Sequence, residues 1–196
     1  MPLQNENLIV YQGKFFDVCS KMNYHLKYWR HYFISHSRHG THSPFVYKLV
    51  DEVIYQKDDP DTVSNLPHDI RAGGKAEEKK YLLVDRLLKA FAYDQFVFLT
   101  EKPLASYETL FKDRVGSYSF RKIYYVDQMN LDLNLLNAIN ERDMLIVNEP
   151  HLSAEREDYW NRLKDDGRVV VSIDLYRIGL VFFRAGQRKE NFLIRF

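Results

Sequence analysis

Met144-Leu145-Ile146-Val147-Asn148-Glu149-Pro150-His151-Leu152-Ser153 is the stretch whose reading decides the fold. Met144 to Val147 is a short apolar run bounded by turn residues, which suits a strand covered on both faces. Ser153 then stands as a cap ahead of an amphipathic helix running to Lys164. Strand, turn and helix in that order form the repeating unit of a parallel α/β sheet.

The unit recurs on the amino-terminal side. A helix is predicted from Ala76 to about Tyr93, with Leu83, Leu87 and Phe91 in register, then a strand at Phe96 to Thr100 and a short helix from Ala105 to Asp113. A strand at Ile123 to Val126 and a helix near Leu131 to Ile139 lead back to Met144. The carboxyl-terminal side differs. Val169 to Leu175, Leu180 to Arg184 and Phe192 to Phe196 are strand-like runs without intervening helices, joined through Gly179 and through Ala185-Gly186-Gln187. They predict an antiparallel edge on a mostly parallel sheet.

Ahead of this body, Tyr24, Tyr28 and Tyr32 fall on one face of a predicted helical arm. Gly40 is placed to bend the chain into a second helix, which Ser43 caps and Pro44 opens, with Phe45, Leu49, Val50 and Val53 at helical spacing. Residues 1–56 are therefore read as the arm and 76–196 as the α/β domain. The polar stretch 57–75 lacks a sustained period and is read as a mobile loop or linker.

Twenty-eight Lys and Arg against twenty-seven Asp and Glu give a formal charge of +1, so nothing in the global charge favours a nucleic-acid or membrane partner. Cys19 is the only cysteine, which excludes an intramolecular disulfide and any multi-cysteine metal site. Together with the polar start of the chain, this predicts a cytoplasmic protein.

Arg38-His39-Gly40-Thr41-His42-Ser43-Pro44-Phe45-Val46-Tyr47 resembles the amino-terminal arm of a Bacteroidetes-type group of class I S-adenosylmethionine-dependent methyltransferases. The stretch from Met144 to Trp160, with Val170 to Leu175, Gly179 to Arg184 and the closing Phe192-Leu193-Ile194-Arg195-Phe196, is similar to the last third of those enzymes. The resemblance spans roughly half the chain and implies a Rossmann-like fold. In that family the first strand after the linker ends in a glycine-rich turn against the cofactor. Here the corresponding residues are Leu99-Thr100-Glu101-Lys102-Pro103-Leu104-Ala105-Ser106, with neither glycine.

The family also carries two further strand–helix units before its fourth strand. The residues from Lys112 to Arg121 are too few to hold them. With two units gone, Ile123 to Asp127 matches the fourth strand; with one gone, Asp127 matches the acid that binds the cofactor's ribose. The fold expected is a reduced Rossmann-like α/β sandwich with an antiparallel carboxyl-terminal edge and an N-terminal helical arm.

The resemblance implies S-adenosylmethionine beside Thr100, Glu101 and Asp127. It also suggests a divalent cation on Asp127, Asn148 and Glu149, oxygen ligands that suit a hard metal, and His151 as a general base. Capping and solvated carboxylates explain the same residues without a site. His36, His39 and His42 are spaced by three, but no carboxylate lies between Lys21 and Val50, so a metal reading there is weaker than a turn in which Arg38, His39 and His42 fix the arm or face an acceptor pocket. Asp174, inside an apolar strand, needs a hydrogen bond or a cation such as Arg177 or Arg195 and is read as structural.

Two functions compete on this reading. One is a methyltransferase with a shortened pocket acting on an unidentified acceptor. The other is a non-catalytic module, descended from one, that binds a protein partner or a second copy of itself.

Overall fold

The computed structural model describes residues 22–37, 43–100, 104–116, 121–127 and 132–196. Helix α1 runs over 22–34. Helix α2, Pro44–Leu49, follows; the Ser43 side chain accepts from the Val46 N–H, and the helix widens into a π-turn over Val50–Ile54. The buried Arg86 guanidinium donates to the Val53 carbonyl (2.8 Å) and the Ile54 carbonyl (3.3 Å), supplying partners that a helix end otherwise lacks.

The stretch 57–75 departs from its reading as a mobile loop. It contains two short helices, α3 (Pro60–Ser64) and α4 (His68–Ala72). Asp59 accepts from the Thr62 N–H at 3.1 Å with Pro60 in the first turn, and Leu66 and Ile70 are buried anchors. Five-residue helices are too short to display a period, so the composition concealed them. Helix α5, Lys75–Ala90, then crosses the domain with nine consecutive residues, Lys80 to Leu88, buried.

The sheet is built from β1 (Gln95–Leu99), β2 (Lys122–Val126), β3 (Met144–Asn148), β4 (Val171–Asp174), β5 (Ile178–Phe182) and β6 (Glu190–Leu193), in the order β1-β2-β3-β5-β4-β6. Helix α6 (Ala105–Arg114) joins β1 to β2, a 3₁₀ turn (Leu133–Ala138) joins β2 to β3, and helix α7 (Ala154–Asp165) joins β3 to β4. The fold is an α/β sandwich of Rossmann-like kind. The 3₁₀ turn replaces the helix predicted near Leu131 to Ile139.

Antiparallel pairing at the carboxyl-terminal end belongs to β5 alone, which runs against both β3 and β4. The outermost strand, β6, lies parallel to β4. Gly179 does not form the turn; it sits inside β5, where an added Cβ would lie 2.7 Å from the Trp160 ring. The reversal is made by Leu175, Tyr176 and Arg177, with Tyr176 at φ 69°.

Alternation along the strands fills both faces. Ile123, Tyr125, Met144, Ile146, Val171, Ile173, Leu180 and Phe182 join the core under α2, α5 and α6. Tyr124, Val126, Leu145, Val147 and Val181 join the core under α7 around Trp160. This period-two pattern with both faces buried is why the central strands read as continuous apolar runs.

Candidate functional site at the carboxyl ends of the strands

In open parallel sheets, ligands bind beyond the carboxyl ends of the strands, and here that edge carries a dense polar layer. Asp127 follows β2, Asn148 ends β3, Glu149 and His151 follow β3, and Asp174 ends β4. Thr100 follows β1. Glu101, Arg38, His39 and His42 lie outside the described residues, as does Gly40.

Asp127, Asn148 and Glu149 are brought together as predicted, but basic side chains stand between and around them. Arg156 donates to the Asp127 carboxylate (2.9 Å) and, with its other terminal nitrogen, to the Asp127 carbonyl (3.0 Å). Asn148 donates to Asp127 at 3.1 Å and accepts from the Lys80 ammonium at 3.1 Å. That buried ammonium also lies 2.6 Å from Glu77 and 3.0 Å from Glu149. Glu149 accepts from the Tyr24 hydroxyl at 2.6 Å and faces Arg177 at 3.4 Å. Burial, reinforced by the Glu149 charge, raises the Tyr24 phenol well above its ordinary range, so it remains a donor.

Among the described residues no group of three or more His, Cys, Asp or Glu side chains is placed to share a metal ion. Asp127 Oδ1 is taken by Arg156 and Asn148, and both Glu149 oxygens are taken by Tyr24, Lys80 and Arg177, so a divalent cation on these two acids would displace cationic partners. Tyr107, only 2% exposed, packs its ring 5.3 Å from that of Tyr125 and donates to Glu77 at 2.9 Å. Arg156 holds both the side chain and the carbonyl of the acid that would meet the ribose.

His151 is part of a second centre. Its Nε2 donates to Asp174 at 2.8 Å, its Nδ1 lies 3.6 Å from Glu157, and its ring stacks on Tyr176 with centroids 4.9 Å apart. Nε2 is thus committed to Asp174, while Nδ1 faces Glu157 beyond hydrogen-bond distance.

Asp174 finds the hydrogen bonds a buried acid needs, but from neither of the arginines named for it. Its carboxylate is met by His151, by His31 at 3.4 Å and by the Trp160 N–H at 2.8 Å, and it accepts from the Tyr176 N–H at 2.9 Å. Arg177 goes to Glu149 instead, and Arg195 donates to the Tyr32 carbonyl and lies over the Tyr32 ring. Burial pushes the Asp174 carboxyl up, but the hydrogen bonds and charges of His151 and His31 outweigh it and hold the group well below the usual carboxylate range.

Comparison with models of known protein families, with curated proteins and with solved structures found no match. The geometry of the chain itself therefore carries the functional reading.

Two features of this edge are strained in a consistent way. Glu149 (φ 44°) and Tyr176 (φ 69°) are the two non-glycine residues with positive φ among those described, and the Glu149 N–H donates to the Arg177 carbonyl at 2.9 Å. Two left-handed turns side by side, each bonded through its side chain, place Glu149, His151 and Tyr176 against the arm. Sequence reasoning missed Lys80, Arg156, His31 and Tyr176. Only Arg156 left a signal, lying three residues beyond the cap Ser153 in the first turn of α7, where a long side chain can reach back over the strand ends.

Proposed function

We propose that the chain is a non-catalytic binding module of methyltransferase-like architecture, acting in the cytoplasm, in which cofactor binding has been lost. The observation that carries this reading is the position of Arg156 and Lys80. They fill the places at the ends of β2 and β3 where a cofactor or metal would meet Asp127, Asn148 and Glu149. Displacing Lys80 would leave Glu77 and Glu149 without their shared ammonium in a buried place, a change that costs several kcal/mol, roughly 3–5 by the behaviour of other buried pairs.

The module reading extends to self-association through the arm. Met22, Leu26 and Phe33 recur at helical spacing on the exposed face of α1, turned away from the tyrosines that meet Tyr176. Light scattering at several concentrations tests it: a dimer supports self-association, and a monomer removes it.

Titration calorimetry with S-adenosylmethionine and S-adenosylhomocysteine, with and without magnesium, tests the loss of cofactor binding. No heat and an unchanged melting temperature are expected. Micromolar binding, about −8 kcal/mol, would overturn the reading and restore a methyltransferase with His151 as the first residue to mutate.

A further inference from the structure

A cavity of about 370 Å³ opens between α1, the start of α5 and the turn after β4, on the same edge of the sheet as the polar layer. Its volume falls within the range of small-molecule sites. Lys75, Lys79, Lys80 and Arg177 bring positive charge to it, and Tyr28, Trp29 and Phe196 give it aromatic walls. Among the described residues no Asp or Glu lines it.

The four cations are not equally committed. Lys80 is neutralised by Glu77 and Glu149, and Arg177 also faces Glu149. Lys75 and Lys79, both exposed, make no ion pair with any described carboxylate, and the Lys79 ammonium rests 4.1 Å from the centre of the Phe196 ring. Helix α5 begins beside them at Gly74 without a side-chain cap, and its first turn carries Glu77, which is paired with Lys80, and Glu78. A second cavity, of about 220 Å³, gathers Arg121, Arg142 and Arg184 but is also lined by Glu141 and Asp143. The larger cavity is the one whose charged side chains, among the described residues, are of a single sign.

We propose that this cavity binds a small aromatic anion, a planar ring carrying a phosphate monoester or a group of similar charge. The anion would sit against Lys75 and Lys79 and the ring against Trp29. Two unpaired ammonium groups match a dianion, and an exposed indole face offers a stacking partner for a ring. The inference rests on the binding-module reading and supplies its ligand.

The test is calorimetry of the full chain with phenyl phosphate, inorganic phosphate and phenol, alongside S-adenosylmethionine. Phenyl phosphate should bind at least tenfold more tightly than phosphate, phenol should give no heat, and added potassium chloride should weaken binding. Lys75→Gln with Lys79→Gln should reduce affinity at least tenfold. Trp29→Ala should bring phenyl phosphate down to the level of phosphate. All three side chains are exposed, so unchanged melting temperatures will show that the variants fold. Absence of heat with millimolar phenyl phosphate, equal affinity for phosphate, or full affinity in the double lysine variant would each overturn the proposal. Binding of S-adenosylmethionine would instead overturn the loss of cofactor binding, so the two failures are separable.

Discussion

Asp127 and Asp174 end two strands on one edge of the same sheet, yet they live under different physics. The Asp127 side chain is 32% exposed and shares Arg156 with solvent; the Asp174 side chain is 2% exposed and depends wholly on His31, His151, Trp160 and the Tyr176 N–H. Water remains an alternative partner for the first and not for the second. The acid that looks like a ligand in the sequence is a screened surface pair, and the acid that looks like a core accident organises the edge.

The contrast is broken most directly by Asp174→Ala. Removing the carboxylate takes the acceptor from His151, the Trp160 indole N–H and the Tyr176 N–H, and the loss should be about 3–5 kcal/mol, measured by urea unfolding. A loss below about 1 kcal/mol, the level of an exposed pair, would show that the two acids are equivalent after all.

Acid should find the same centre. The folded pKa of Asp174 lies below its ordinary 3.8, so its contribution is present above that value and is lost as pH falls below it. Asp174→Asn should therefore flatten the decline in unfolding free energy between pH 5 and pH 2 relative to the unaltered chain, a range set by roughly one unit above and two below the usual carboxylate value. An unchanged slope would mean that other carboxylates set the acid limit.

Gly179→Ala sharpens the comparison from behind. The new Cβ would press on Trp160, which is fully buried and donates to Asp174, and overpacking of this kind costs about 1–3 kcal/mol. The measurement is again urea unfolding, paired with near-ultraviolet circular dichroism to report the indole. Smallest of all, Asp127→Ala should change stability by no more than about 1 kcal/mol. A larger drop in the thermal midpoint would place Asp127 with the buried centre.

Much of the sheet was legible because its central strands are covered on both faces, which leaves short unbroken apolar runs such as Met144 to Val147 and Ile123 to Val126. The caps Ser43 and Ser153 were legible because a serine ahead of a helix has one local job. Helices α3 and α4 were hidden by their brevity. Gly179 was misread because a glycine that makes room for a distant indole is written in the same letter as one that makes a turn.

The site was less legible than the fold. Asp174 meets His31 across 143 residues of chain, and no spacing rule connects them. Lys80, three residues after Glu77, looks like half of an ordinary surface pair, and only the packing of α5 against the sheet shows that it is buried between two acids.

The contacts that seat α1 also set a timetable. The Tyr176 hydroxyl donates to the Tyr24 carbonyl, His31 reaches Asp174, and His36 pairs with Ile194, all joining an early helix to the last strands. On a ribosome adding about 5–20 residues per second, the helix must wait roughly 7–30 s for the strands that receive it. During that interval its tyrosines are as bare as its outer stripe, so the nascent chain is most adhesive before β4 emerges.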